Sequence, residues 1–307
     1  MWKKSLGIAF FASIVACGGS SSSSECEGLS VEQCREPDAG VPVESGLIVD
    51  AAWLAEHLDD PGVQAIDARG AAFASSRIPG AISLTPGELS KTIDGVAGQL
   101  IPAEEAEPKL RAAGLENDVI AVVYGAAPEY NPARIVWALR YYGHEDVRYL
   151  DGGIAAWIEA GGETDSDSLA IEESDYEVGP VVETLVVTGE WVREQIGDEP
   201  YDMPAIQLVD ARSEGEYDSG HIPTARSVNW TRNLGDGFLL PSGELEALYE
   251  GLDPSVTTVT YCASGQRGSF AWLTLTALGF EDVRLYDGSW NEWGTRSPSK
   301  TPTIPTP

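Results

Sequence analysis

Residues 258–279 read TVTYCASGQRGSFAWLTLTALG. A β-branched and aromatic run leads into Cys262, a short polar loop carries the chain through Gly268, and an apolar helical pattern continues to a stop at Gly279. Strand, loop and helix in that order make a βα unit, and units of this kind build parallel sheets. The loop beyond the carboxyl end of such a strand is where open α/β sheets bind their ligands.

The same unit stands earlier in the chain, as VIAVVYG (119–125) followed by ARIVWALRYYG (133–143). Working outward from the two copies, the match continues. Helix-like segments AAWLAEHLDD (51–60) and GEWVREQIGD (189–198) precede strands that end in Asp-Ala-Arg, VQAIDAR (63–69) and AIQLVDAR (205–212). Polar loops ending in Ile-Pro follow, SSRIPGAISL (75–84) and SGHIPTARSV (219–228), and each half closes on EDVRYLDGGIAAW (145–157) or EDVRLYDGSWNEW (281–293). The offset between matched positions is nearly constant, so the body is a tandem duplication. Short apolar runs without alternation, separated by helical patterns, indicate strands buried on both faces. The fold expected is therefore α/β: two tandem domains, each a mainly parallel sheet flanked by helices on both faces. The N-terminal domain is placed at 44–162, an acidic linker at 163–184, the C-terminal domain at 185–296 and a Pro/Thr-rich tail at 297–307.

Composition limits the function. A chain of 307 residues accommodates two domains of ordinary size. Lys and Arg total 19 against 49 Asp and Glu, a net charge of −30. Nucleic acid is excluded as a partner, because phosphate binding needs a basic footprint. Docking on anionic lipid through charge is excluded for the same reason. Four cysteines are too few for a disulfide scaffold.

The N-terminus reads as an address. Lys3 and Lys4 precede an apolar stretch from Leu6 to Val15, the pattern of a secretory signal over residues 1–16. Ile14-Val15-Ala16-Cys17 resembles a bacterial lipobox, in which Cys17 becomes the lipid-modified first residue; an ordinary signal peptide with a chance Cys is the alternative. The Gly/Ser-rich tract that follows, within a tether at 17–43, suits a domain held off a membrane. Export puts the chain in an oxidising compartment, where Cys26 and Cys34 can close a small disulfide loop, two unpaired linker thiols being the alternative. That leaves Cys262 as an odd thiol in the globular body.

The loop around Cys262 has the parts for anion and thiolate chemistry. A strand-to-helix loop can turn its N–H groups inward as a nest, and the helix N-terminus adds its positive end. A cysteine in that cradle is favoured as the thiolate, its nucleophilic form. Gly265 suits unusual backbone angles. Arg267 adds a permanent charge with a planar fork of donors. Asp210 and His221 read as structural support, ordering backbone and turn. Trp157, Trp290 and Trp293 read as packing residues, with Trp290 near the pocket mouth.

Together these features resemble the rhodanese (sulfurtransferase) family over both halves. The resemblance rests on Asp210-x-Arg212, Gly220-His221-Ile222-Pro223, Tyr261-Cys262-x-x-Gly265-x-Arg267 and Asp287-Gly288-Ser289-Trp290-x-Glu292-Trp293. It implies a persulfide on Cys262, formed from an anionic donor such as thiosulfate and passed to cyanide, a thiol or an acceptor protein. It requires no metal and no organic cofactor. Ala263, Ser264, Gly265 and Gln266 form the cradle, Arg267 is the first candidate to hold the donor anion, and Arg212 the second. In the N-terminal half Gly125 stands in the Cys position and Arg77 in the His221 position, so that half is expected to be inactive, walling the site. A monomer is expected, since the halves already supply a domain–domain interface.

Two other classes are weighed. Phosphatases related by fold use Cys-x5-Arg loops; Cys262 to Arg267 is Cys-x4-Arg, too short to surround a tetrahedral phosphate. A non-catalytic persulfide carrier, or a redox-sensing binding lipoprotein, fits the same thiol and differs by loading once without turnover. Between donors, loops of mercaptopyruvate enzymes read Cys-Gly-Ser-Gly-Val-Thr; this loop departs at three places, and its final Arg resembles thiosulfate-type domains.

Overall fold

The structure is a computed structural model that describes residues 46–167, 170–197, 201 and 204–296. The signal segment, the tether with Cys17, Cys26 and Cys34, and the 297–307 tail lie outside the described residues.

In chain order the first domain comprises β1 (Ile48–Val49), α1 (Ala51–His57), β2 (Val63–Asp67), β3 (Ile82–Ser83), β4 (Ser90–Ile93), β5 (Val96–Leu100), α2 (Ala103–Ala112), β6 (Ile120–Tyr124), α3 (Asn131–Tyr141), β7 (Val147–Leu150) and α4 (Gly153–Glu159). The second comprises β8 (Val186–Val187), α5 (Gly189–Ile196), β9 (Gln207–Asp210), α6 (Glu214–Asp218), β10 (Arg226–Ser227), β11 (Leu234–Gly235), β12 (Phe238–Leu239), α7 (Ser242–Leu248), β13 (Thr258–Tyr261), α8 (Gln266–Ala277), β14 (Val283–Tyr286) and α9 (Ser289–Arg296). The first sheet runs β1-β7-β6-β2-β3 and the second β8-β14-β13-β9-β10, all pairs parallel. The same strand order in both halves is what a duplicated sequence demands. No described helix is long and apolar enough to cross a membrane.

Register places the chemistry. Asp210 pairs with Tyr261 at the carboxyl ends of adjacent central strands, as Asp67 pairs with Tyr124 in the first domain. The Asp-Ala-Arg turn and the Cys262 loop therefore leave the sheet side by side.

Helices α3 and α8 face each other across the domain seam. Both are buried on nearly every side: Pro132 to Leu139 in α3, and Gly268 to Leu275 in α8. A helix apolar all round has to be enclosed, and each half uses the other to enclose it. One hydrophobic cluster joins the halves, running from Ile66 and Val123 through Trp137 to Phe270 and Leu273. Tyr149 meets Phe270 edge-on with centroids 6.0 Å apart, and Trp230 bridges Phe270 and Tyr130 at 5.5 and 5.1 Å.

The acidic segment after residue 163 is held against the first domain. Arg77, almost wholly buried, pairs with Asp165 at 2.7 Å. Tyr176 is buried, and the Arg111 guanidinium donates to its carbonyl at 2.7 Å.

Candidate active site

Cys262 directly follows β13, and α8 begins four residues later. Gly265, at φ 80°, makes the turn between them. A Cβ there would lie 2.6 Å from Asp287 Oδ1 and 3.0 Å from Arg134 Nη1, so only glycine fits. Helix α8 has no side-chain cap. Its first N–H groups are therefore open to an outside acceptor.

Ser289 fixes the loop from beneath. Its Oγ accepts from the amides of Cys262 at 3.2 Å and Gly265 at 3.0 Å, and donates to the Tyr286 carbonyl at 2.8 Å. Ser289 holds φ 51°, a strained angle for a residue with a side chain, at a fully buried position. The amides of Trp290 and Asn291 then bind the carbonyls of Cys262 and Ala263 at 3.0 and 2.9 Å. With those carbonyls occupied, the N–H groups of Ala263, Ser264, Gln266, Arg267 and Gly268 have no acceptor among the described residues. Unpaired amides around a sulfur at a helix start form an anion nest.

Cys262 is a free thiol at 0% exposure. The Arg267 guanidinium is held by Glu216 through two parallel bonds, Nη1–Oε2 at 2.7 Å and Nη2–Oε1 at 2.8 Å. The pairing pulls the Glu216 carboxyl down to about 2, with the Arg267 bonds outweighing the cost of burial. Arg267 is pushed up, first by Glu216, against the cost of burial, and then by Cys262.

Arg212 lies deeper. Its Nε bonds Asp210 Oδ1 at 2.9 Å, its Nη2 bonds Asp210 Oδ2 at 2.6 Å and the Gly220 carbonyl at 2.7 Å, and Trp290 stacks over it at 4.6 Å. Burial works against the Arg212 charge, but Asp210, Tyr261 and Glu216 outweigh it and raise its pKa. Asp210, fully buried, also accepts the Arg212 amide at 3.0 Å. His221 stacks on Tyr217 at 3.7 Å with Nδ1 3.0 Å from the Tyr217 carbonyl, and its buried Nε2 has no hydrogen-bond partner. Trp157 and Trp293 are buried.

The first domain covers the loop. A Cβ on Gly98, in β5, would lie 2.9 Å from the Ser264 Cβ and 3.2 Å from its carbonyl, so backbone rests directly on the loop. Arg134 on α3 donates to the Gly98 carbonyl at 3.2 Å and approaches Asp287 at 2.7 Å, out of line for a hydrogen bond and so an ion pair by charge alone. Asp287 also accepts the Leu100 amide at 2.7 Å. The second domain reciprocates: Asp151 accepts the Leu239 amide at 2.9 Å, and Gly237 lies against Ala127. Each β-hairpin, β4–β5 and β11–β12, thus crosses the seam onto the other domain's loop.

The first domain's own cradle is closed. A Cβ on Gly125 would meet Pro132 at 2.6 Å and Glu129 Oε2 at 2.7 Å. The Glu129 carboxylate accepts the Ala126 amide at 2.9 Å, and burial raises its pKa. An internal carboxylate occupies the place of a ligand anion.

Sequence reasoning brought Cys262, the loop, Arg267 and Arg212 to one place. It missed Glu216, Arg134 and the two hairpins, and it gave Asp287 and Ser289, quoted within the closing motif, no role. The hairpins had a signal: Asp94-Gly95 and Asp236-Gly237 have positive φ at both residues, the tight hairpin turn that Asp-Gly favours. Arg134 had none, because the two domains' contacts across the seam leave no mark on sequence spacing.

Two duplicated parallel sheets, one of them followed by a thiol-bearing loop at a helix start, define a tandem α/β protein. A family profile described as Rhodanese-like domain matches residues 50–160 and 188–296, and the chain belongs to this family. It is 30% identical over 274 residues to a putative thiosulfate sulfurtransferase of Haloferax volcanii, covering 81% of this chain and 93% of that one. It is 30% identical over 269 residues to the sulfur carrier protein TtuD of Thermus thermophilus, covering 81% and 93%. Among solved structures, SseA from Escherichia coli, a 3-mercaptopyruvate sulfotransferase by its description, superposes with a TM-score of 0.72 at 28% identity, covering 79% of this chain and 98% of that chain.

Proposed function

We propose that the chain is a sulfurtransferase in which Cys262 carries the sulfur as a persulfide, with thiosulfate the favoured donor and cyanide, a thiol or a protein as acceptor. The single observation behind this reading is the Cys262 loop, where a thiol sits among unpaired amides at an uncapped helix start. The Cys262 thiolate attacks the outer sulfur of thiosulfate. A Cys–S bond forms, the S–S bond of the donor breaks, and its electron pair leaves on sulfite. The loop amides hold the persulfide anion. An acceptor then attacks the terminal sulfur and returns the Cys262 thiolate. Two half-reactions on one nucleophile give ping-pong kinetics. Arg267 and then Arg212 are the cations assigned to the donor anion, and the first domain walls the site without chemistry of its own.

The lipobox, the tether and the expected Cys26–Cys34 disulfide extend the proposal to an exported, lipid-anchored monomer facing the periplasm or cell exterior. A persulfide carrier is the second reading, because one relative is named a sulfur carrier. A steady-state thiosulfate:cyanide assay beside Cys262→Ser separates the two. Cys262-dependent turnover supports the enzyme; sulfur loading without turnover supports the carrier. Cys17→Ser should release the chain from the membrane fraction, and persistent membrane association would refute the anchor.

A further inference from the structure

Glu216 is the acidic partner of the arginine in the Cys262 loop region. Its carboxylate takes both terminal nitrogens of Arg267, in the first turn of the helix that follows the Cys262 loop. Arg212 is held separately, by Asp210. Glu216 therefore neutralises the guanidinium assigned above as the first contact of an anionic donor. It is fixed there by its own helix start: its side chain accepts the Ser213 amide at 3.1 Å and the Ser213 hydroxyl at 2.7 Å in the capping box of α6. The first domain offers a parallel, since Glu129 fills its cradle outright.

We propose that Glu216 is a specificity-determining residue that occupies the donor-anion subsite with a built-in carboxylate and so selects donors and acceptors by charge. It rests on the sulfurtransferase reading for its substrates. A dianion such as thiosulfate has to share or displace the Arg267 fork against a fixed negative charge. A monoanion meets half of that opposition, and a neutral sulfur compound meets none. The chain's net charge of −30 acts in the same direction from further away.

The test is Glu216→Gln, which keeps an oxygen to accept from Ser213 and removes the charge. At a partly exposed site, a charge a few ångströms away changes binding of a monoanion by about tenfold, and of a dianion by up to about a hundredfold. The ratio of kcat/KM for thiosulfate to that for 3-mercaptopyruvate should rise by about tenfold in the variant. An unchanged ratio would overturn the proposal. A second readout needs no turnover: the rate of alkylation of Cys262 in the full chain, followed on its peptide by mass. Glu216→Gln should raise the rate with anionic iodoacetate by about tenfold over any change with neutral iodoacetamide. Equal acceleration of both would mean that Glu216 only restricts access, and no change in either would mean that it only caps α6; both refute a charge filter. Failure of thiosulfate turnover in the unaltered chain would count against the sulfurtransferase reading alone, because the alkylation ratio is read independently of it.

Discussion

Arg134→Met tests whether the first domain holds the catalytic loop of the second. Arg134 is 1% exposed and the Asp287 side chain 10%, so their 2.7 Å ion pair is enclosed in the seam. Methionine keeps much of the packing against Trp137, over which the Arg134 guanidinium lies at 4.6 Å. The variant leaves Asp287 Oδ1 without its cation; removing one partner of a buried pair costs about 3–5 kcal/mol. The Gly98 carbonyl loses its donor as well, adding about 1 kcal/mol. Arg134→Met should therefore destabilise the protein by about 4 kcal/mol in urea unfolding, read by tryptophan fluorescence and by far-UV circular dichroism, whose transitions must coincide for the energy to be defined. Adding Asp287→Asn removes the stranded charge and keeps an oxygen for the Leu100 amide, so the double variant should recover about 2 kcal/mol or more. The pair abuts Gly265, so sulfur loading of Cys262 should slow in the single variant and recover in the double. Single variants that each cost under about 1 kcal/mol, with additive effects in the cycle, would refute the reasoning.

Gly98→Ala drives a Cβ to 2.9 Å from Ser264 at φ 86°, and should lower sulfur-transfer rate by about tenfold or more; Gly237→Ala in the other hairpin, also at positive φ but meeting only Ala127 at 3.3 Å, should leave the rate intact, and equal losses would deny Gly98 a special place. Glu216, at about 2 in the folded protein, lies below its ordinary value of 4.5, so its pairing stabilises the fold fully above pH 4.5 and is lost as pH falls through about 2. Because the Glu216 side chain is 38% exposed, screening keeps that contribution near or below about 1 kcal/mol, and Glu216→Gln should be less stable at pH 6 but indistinguishable near pH 2 by thermal unfolding. Gly125→Cys should not create a second sulfur-carrying site, because its side chain would strike Pro132 and Glu129; a second sulfur in the intact mass would contradict this.

The sheet was legible because it depends on local pattern. Short apolar runs ending in Asp-Ala-Arg and Tyr-Cys became adjacent parallel strands, and the tandem match between halves became identical strand order. The Cys262 loop was legible for the same reason: strand, glycine and helix start are neighbours in sequence. What was not legible lies across long separations. Arg134 and Asp287 are far apart in the chain and meet only because α3 and α8 pack face to face. Glu216 was hidden by its neighbourhood: SEGEYD reads as a helix start, and it is one, with a capping box. The same carboxylate that caps α6 also reaches Arg267, and sequence spacing does not show a side chain used twice. Arg267 and Arg212, read as cations awaiting an anion, are each already held by a carboxylate.

The most direct measurement is the intact mass of the full chain after incubation with thiosulfate and removal of excess donor, beside Cys262→Ser. The account predicts a gain of one sulfur atom, located on the Cys262 peptide, removed by cyanide and absent from the variant. No gain, or a gain that survives in Cys262→Ser, would contradict it.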